Sequence, residues 1–376
     1  MDYDKLLELA ERNGIKLNGI APQQIPGRGS GMVAQRAIKP REIILTVPNR
    51  TFRSRDTVAS SIRAALPADV SAHGMLAAEI LLDASPDFEA WKSVFPSRAD
   101  FESCMPLLWA AELQALLPVV CREKLVVQRR AVAADWAAVR GALEGRDEAE
   151  YRYAWLLVNT RAFYNGSARM RRRPHGERLA LQPVVDLVNH TAGAACAVAF
   201  GPVAFTVAAD RAYAAGEEVL LSYGAHANDY LLAEYGFILD DNAWDEVCLD
   251  DVVAPLFTAE QAQALKDRDF WGRYVVDRST AGCYRTQVAL RIKLLARPRW
   301  ERVVAGLDEA EDVQYAVDGL LRVAMAEYRQ TAEQTVQRLG EMQEGTAEQR
   351  ELLGRRWRQI IATLDVVGEM VAEDRV

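Results

Sequence analysis

The sequence is short of several things, and each shortage removes a class of answers. It has only five cysteines in 376 residues, Cys104, Cys121, Cys196, Cys248 and Cys283, widely spaced and with no Cys-x-x-Cys pair. An odd, scattered set argues against a disulfide framework and against a structural zinc site. The thiols are read as free, small hydrophobes of a reducing compartment, and no metal is expected. No run of about eighteen apolar residues occurs, so no membrane-spanning helix is expected. The opening stretch MDYDKLLELAERNG mixes charges into its apolar positions. It lacks the apolar core of a secretory signal and the acid-poor composition of a transit peptide, which points to the cytoplasm or nucleus. A basic excess is also missing: 45 Lys and Arg stand against 53 Asp and Glu, a net charge of −8. Phosphate neutralisation needs Lys and Arg in excess on one surface, so in a globally acidic chain direct nucleic-acid binding is not expected. There is no Gly/Ser-rich linker and no repeat of fixed period. The four histidines form no His/Asp/Ser or Cys/His set that would suggest a hydrolase.

What is present is an ordinary globular balance, half apolar and 26% charged, long enough to bury a full core and to form two or three domains. Residues 4–13 carry Leu6, Leu7, Leu9 and Ala10 ahead of Gly14, which predicts a short helix. GRGSGMVAQRAIKPREIILTVP (27–48) predicts two short strands, one at Met32-Val33-Ala34 and one at 43–47, with a turn at Lys39-Pro40. From about 55 to 150 helical spacing dominates, as at Leu76, Ile80 and Leu81, with bulk from Trp91, Phe95, Leu107, Leu108 and Trp109; this reads as a helical insert. Strand character returns from about 180 to 240, in LQPVVDLVNH, in CAVAFGPVAFTVA around Gly201-Pro202, and in GEEVLLSYG. After 255 the chain reads as helical, with capping boxes at Thr258/Gln261 and Thr346/Gln349. Apolar faces run through Val313, Val317, Leu320, Leu321 and Ala324, and through Leu353, Trp357, Ile360, Ile361 and Leu364. The expected division is 1–255, carrying the insert, and a helical 256–376.

Three segments could carry chemistry. Gly27-Arg28-Gly29-Ser30-Gly31 would let backbone approach a ligand. A strand follows it rather than a helix, so a dinucleotide fingerprint fails and spacing alone reads as a turn. Asp186-Leu187-Val188-Asn189-His190 places polar groups after an apolar run, at an expected strand end. In SYGAHANDYLLAEYGF (222–237), Tyr223 and Tyr235 bracket a helical stretch with Leu231 and Leu232 turned inward. Each of these, taken singly, reads first as a polar turn or ordinary aromatic core. Arg169, Arg171, Arg172 and Arg173 form a basic cluster, read as a solvated loop or as a steering patch. His226 reads as surface or helix-capping, and His73 and His175 have no partner visible in sequence.

The order of these pieces is more telling than any one of them. A Gly-rich strand pair, a helical insert, Arg161-Ala162-Phe163, Asp-x-x-Asn-His, GEEVLLSYG and a downstream Tyr-Gly-Phe together resemble the SET-domain methyltransferases. More narrowly they are similar to the subgroup typified by the Rubisco large-subunit lysine methyltransferase. WKSVFPSRADFESCMPLLW (91–109) resembles that subgroup's insert. YAWLLVNTRAFYN (153–165) resembles its W-A-x-x-x-V-x-[ST]-R-A-F stretch, and GCYRTQVALR (282–291) its helical substrate-binding domain. The resemblance spans about 20–330. Thr191 follows His190 where serine is commoner, and Arg28 stands where the Rubisco enzyme has an acidic residue.

The resemblance implies an α+β fold: a SET domain of small sheets with knot-like threading, a helical insert, and an all-helical C-terminal domain. It implies S-adenosylmethionine as cofactor, cradled by Arg28, Gly29 and Ser30. Arg161 would meet its carboxylate, and Asn189 and His190 its amino group and adenine. Tyr223 would stand at the catalytic centre beside the cofactor, and Asn165, Asp186 and Tyr235 near the substrate. The implied activity is methyl transfer to a protein side-chain nitrogen, first of all a lysine ε-amine of a non-histone protein, with histidine open. A SET-like pseudoenzyme that only binds a protein, or an enzyme acting on a small molecule, are the alternatives.

Overall fold

The computed structural model describes residues 1–168 and 170–373. By contact the chain falls into two compact units: residues 1–102 with 126–226, and 103–125 with 227–376. Among the described residues, no helix is long and apolar enough to cross a membrane. All five cysteines are free thiols.

The first unit holds three small antiparallel sheets. β1 (Lys16–Leu17), β4 (Ile43–Pro48), β9 (Ala204–Ala208) and β8 (Ala197–Phe200) form one, in the order β1-β4-β9-β8. β2 (Ile20–Ile25), β3 (Gly29–Ala34) and β10 (Glu218–Val219) form a second, in the order β10-β3-β2. β5 (Arg53–Ser54), β7 (Leu179–Leu181) and β6 (Phe163–Tyr164) form the third. The two strands expected in 27–48 are therefore β3 and β4, and they belong to different sheets. β3 pairs instead with β2, from Ile20 opposite Ala34 to Ile25 opposite Gly29. Pro22 hides β2 from a sequence reading, since proline breaks ladders. Here β2 is an edge strand, where the missing N–H is tolerated.

The helical insert is present. Its helix Ala72–Leu82 is buried along nearly its whole length, from Ala72 to Ile80, and packs on helix Glu148–Arg161. A helix apolar all round belongs inside. Helix Pro86–Lys92 starts with proline in its first turn, capped by Ser85, and buries Phe88 and Trp91.

Two expected strands are shorter than their apolar runs. In LQPVVDLVNH, pairing stops at Leu181. Pro183 has no N–H to donate, and Val184 turns the chain at φ 78°, so a 3-10 turn, Val185–Leu187, follows. In GEEVLLSYG only Glu218–Val219 pairs as a strand. The residues after it run beside the other motif: Leu221 N–H donates to Asn189 O, Thr191 N–H to Leu221 O and Cys196 N–H to Leu220 O. His190 and Leu221 form a parallel bridge. Segments 186–191 and 220–223, distant in sequence, are thereby neighbours.

The second unit is mainly helical. Helices Gln314–Glu341 and Ala347–Glu373 pack together. Of their expected faces, Val317, Leu321 and Ala324 from one and Leu353, Trp357, Ile360 and Leu364 from the other are buried, while Val313, Leu320 and Ile361 are partly buried at the edge; Tyr328 joins the buried face. Both capping boxes form, at Thr258/Gln261 and Thr346/Gln349. One departure from an all-helical region is β12 (Val275–Val276), which pairs with β11 (Val247–Cys248).

Candidate active site

The β2–β3 turn, the 186–190 segment and the 218–223 segment converge through side chains. Arg28, from the turn, donates to Glu218 Oε2 at 2.9 Å and to His190 O at 2.9 Å. Asn189 Nδ2 donates to Glu218 Oε1 at 2.8 Å and to Ser30 O at 3.1 Å. Two acceptors on the nitrogen fix the amide's orientation, which leaves Oδ1 as the atom able to accept from a ligand. Gly31 makes this approach possible: a Cβ there would lie 2.7 Å from Glu218 Oε1 and 3.0 Å from Asn189 Nδ2. Ser30 contributes backbone here, since its hydroxyl bonds to Tyr3 Oη at 2.9 Å. Gly29 lies in β3 opposite Ile25.

His190 is almost fully buried. Its Nδ1 accepts the Tyr223 N–H at 3.0 Å, which assigns its proton to Nε2. Burial pulls its pKa down to about 4, so the ring is neutral and acts through packing and hydrogen bonds. It stacks on Tyr223 at 5.0 Å. The Tyr223 hydroxyl donates to Val188 O at 2.9 Å. Burial pushes that phenol up to about 12, so Tyr223 stays protonated. With its proton committed to Val188, its oxygen can act only as an acceptor. Gly224 follows at φ 134°, and His226 packs over it and reaches Tyr223 O at 3.2 Å. His226 thus borders the site rather than capping the next helix, whose cap is Ala227.

Arg161 ends helix Glu148–Arg161, where the C-terminal carbonyls favour a cation. It donates to Asp186 O at 2.8 Å and to Asp186 Oδ2 at 3.1 Å. Arg161 Nε and Asp186 Oδ1 are both buried with no partner among the described residues. Burial raises the Asp186 carboxyl, opposed by Arg161.

Of the residues picked from sequence, Arg28, Ser30, Asn189, His190 and Tyr223 are thus tied into one hydrogen-bonded group, and the Arg161–Asp186 pair acts on Tyr223 through its charge. Asn165 is not part of it. Its Oδ1 accepts the Ser167 N–H at 3.0 Å, and it lines a separate cavity of about 430 Å³ with Ser54, Met170 and Phe200. Tyr235 belongs to the second unit, at the end of helix Asn228–Tyr235. Sequence reasoning missed Glu218, Trp91 and Phe95. Glu218 had a signal: an arginine at 28, where an acid was expected, calls for a carboxylate elsewhere, and GEEV offers one beside the site. Trp91, whose indole N–H meets Asp186 across 95 residues, had none. The histidines also have partners. His73 stacks on Trp155 at 4.0 Å, and His175 lies 3.8 Å from the Tyr164 ring.

Comparisons with known proteins bear on this arrangement. Residues 29–224 match the SET domain family. Residues 245–368 match the "Ribosomal lysine N-methyltransferase 2 C-terminal domain" family. Ribosomal lysine N-methyltransferase set11 of Schizosaccharomyces pombe is 27% identical over 298 residues, 78% of this chain and 75% of that protein. Ribosomal lysine N-methyltransferase 2 of Saccharomyces cerevisiae is 25% identical over 258 residues, 56% of this chain and 52% of that one. Among solved structures, the SET domain of LSMT bound to MeLysine and AdoHcy aligns with a TM-score of 0.68 at 17% identity, covering 99% of this chain and 91% of that one. At that identity the likeness speaks for the fold.

Proposed function

This chain belongs to the SET-domain family, and from that premise we propose that it is an S-adenosylmethionine-dependent protein-lysine N-methyltransferase. The observation that carries the reading is the pair of open atoms beside Tyr223. Asn189 Oδ1 is an acceptor held ready by two bonds on its nitrogen, and Arg161 Nε is a buried donor without a partner. An amino-acid head group needs one of each, an acceptor for its ammonium and a donor for its carboxylate. These residues therefore fit the methionine end of the cofactor, with the backbone at Arg28, Gly29 and Ser30 and the His190 peptide beside it. When bound, S-adenosylmethionine supplies an electrophilic methyl on a sulfonium.

The remaining work falls to the protein. In-line displacement requires alignment, and much of the rate comes from positioning. The acceptor must be a neutral amine. For a lysine of ordinary pKa this costs about 4.6 kcal/mol at pH 7, which an apolar, water-poor channel reduces. Tyr223 is suited to orient that amine as an acceptor, because its own proton is held by Val188 O. It is not a base, since burial keeps it a phenol. Asp186, with an open oxygen, is assigned to the substrate side, and Asn165 with it as the resemblance implies.

The names of the relatives support a ribosomal protein as substrate, and with it a cytoplasmic location. The test is to supply tritiated S-adenosylmethionine to an extract from cells lacking this chain. Label is expected on lysines of ribosomal proteins. Label on histidine would overturn the acceptor. Calorimetric binding of S-adenosylhomocysteine without any transfer would make the chain a binding module. Asn189→Ala should weaken S-adenosylhomocysteine by about 10- to 150-fold, the range for one hydrogen bond to a charged group.

A further inference from the structure

The helical insert reaches the Arg161–Asp186 pair through two rings. Trp91, on helix Pro86–Lys92, donates its indole N–H to Asp186 Oδ2 at 3.0 Å. Phe95 holds its ring 5.4 Å from the Arg161 guanidinium carbon. The two rings meet edge-on at 5.1 Å. Arg161 donates to that same Oδ2. Both side-chain donors thus fall on one oxygen, and Oδ1 is buried without a partner among the described residues. A buried carboxylate ordinarily gathers donors on both oxygens, so the bare Oδ1 needs an explanation.

A second observation lies two residues upstream. Val184 is fully buried and sits at φ 78°, ψ −48°. That is near the strained γ-turn conformation, and a β-branched residue adopts it only when its surroundings force it. Strain of this kind persists where the structure over-determines a position, and it gathers at functional sites. Here it launches the 3-10 turn Val185–Leu187 that carries Asp186.

We propose that Trp91 is a positioning residue: with Phe95 behind Arg161, it turns the Asp186 carboxylate so that Oδ1 alone is offered to the incoming amine, and the strained Val184 turn is the backbone half of the same clamp. What Oδ1 meets rests on the methyltransferase reading; the clamp rests on the distances. Trp91 packs edge-on against Phe88 as well as Phe95, so phenylalanine at 91 keeps the aromatic contacts and deletes the donor. Among the described residues, the charged or titratable groups acting on Asp186 are Arg161 and Tyr223. Neither is altered by that change.

The experiment is a ¹³C-carboxyl NMR titration of Asp186 in the full chain, beside methyl-transfer kinetics. In Trp91→Phe a donor to the carboxylate is gone. The Asp186 pKa should therefore rise, and the acid limb of kcat should move to higher pH. Turnover should fall by about 10- to 150-fold, the range for one hydrogen bond to a charged group, with S-adenosylhomocysteine affinity unchanged. A role in packing alone would change stability and leave the Asp186 titration and the acid limb in place, which would overturn the proposal. Should Trp91→Phe fail to fold, Val184→Gly and Val184→Ala decide. Glycine relieves a positive φ that alanine cannot, so the Gly variant should be at least as stable as the Ala variant and slower in turnover; the reverse order of stability overturns the strain. The titration needs no turnover. A shifted Asp186 in a protein that methylates nothing keeps the clamp and sinks the methyltransferase reading. An unshifted Asp186 in an active enzyme does the opposite.

Discussion

Two buried arginine–carboxylate clusters in this chain use the same chemistry and finish it differently. In the second unit Arg356 is completely buried. It donates from Nε to Asp229 at 2.6 Å, from Nη1 to Asp245 at 2.7 Å and from Nη2 to Glu246 O at 3.2 Å. None of its buried atoms, or those of its two acids, is left without a partner among the described residues. In the first unit Arg161 and Asp186 are nearly as enclosed, yet each keeps one buried atom unpaired. A satisfied network fixes a unique packing, whereas an unmade bond costs stability. The chain closes one cluster fully and leaves the other open, and the proposed function assigns the open one as the place where a ligand would complete the set.

The largest expected effect tests the closed cluster. Arg356→Met would strand Asp229 and Asp245, and breaking a buried pair typically costs about 3–5 kcal/mol. Urea denaturation should show that loss while S-adenosylhomocysteine affinity is retained. A loss below about 1 kcal/mol, in the range of a surface pair, would show that the cluster is not the structural node its geometry suggests.

The same contrast explains what could be read from sequence. Helix faces such as Val317–Leu321–Ala324 and the two capping boxes are local patterns, and they were legible. Asp186, Asn189, His190 and Tyr223 were legible as an ordered set of motifs. The bonds that tie them were not. Glu218 and Arg28 are 190 residues apart, and Trp91 meets Asp186 from another element altogether. β2 was hidden by Pro22, and the true end of the strand before Asp186 by the apolar run Pro183-Val184-Val185. Spacing cannot show that Val184 adopts a positive φ, because that conformation is imposed by the tertiary packing around it. Asn165 was placed near the substrate by resemblance; its bond to the Ser167 N–H and its place on a cavity wall are contacts that spacing cannot show.

The next effect in size sharpens the reading of the open cluster. Tyr223→Phe keeps the ring that stacks on His190 and removes one preorganised polar group. Turnover should fall by about 10²–10³. Stability should fall by only about 1 kcal/mol for the bond to Val188 O, and cofactor affinity should hold. Wild-type turnover would remove Tyr223 from the chemistry. Unfolding would place it in the core instead.

A third, pH-dependent effect asks whether openness alone marks function. Glu79 is fully buried, its Oε1 accepts from Arg53 at 3.1 Å, and its Oε2 has no partner among the described residues. Burial pushes its carboxyl from 4.5 up to about 7 against the pull of Arg53. A raised pKa means that the folded state holds the proton longer than the unfolded chain. Its stabilising contribution is therefore complete below about pH 4.5 and is lost as pH rises to about 7, a swing of about 3 kcal/mol. Glu79→Gln should flatten that slope in denaturation curves taken at pH 5 and pH 8, without changing methyl transfer at either. If transfer falls with Glu79→Gln, the open oxygen at Glu79 is functional too, and the site extends into the insert.

The smallest effect concerns the arginine cluster. As a sequence it suggests a positive patch that draws an acidic surface toward the site. The structure spends much of that charge locally. Arg173 pairs with Asp56 at 3.1 Å and with Glu177 at 3.2 Å. Arg171 Nε donates to Gly166 O, and Arg178 returns bonds to Arg173 O and Arg171 O. Arg169 lies outside the described residues. Guanidiniums that stitch a loop together hold it in shape, but they project less field than free ones, and exposed charge is screened by salt. Steering acts on the association rate. Replacing Arg171 and Arg172 with Gln should therefore raise KM by about two- to threefold at low ionic strength, an effect the size of one exposed ion pair. At high salt the difference should vanish, with kcat unchanged in both conditions. A KM increase that survives high salt would mean that these arginines touch the substrate directly, and the loop would then join the open cluster rather than stand apart from it.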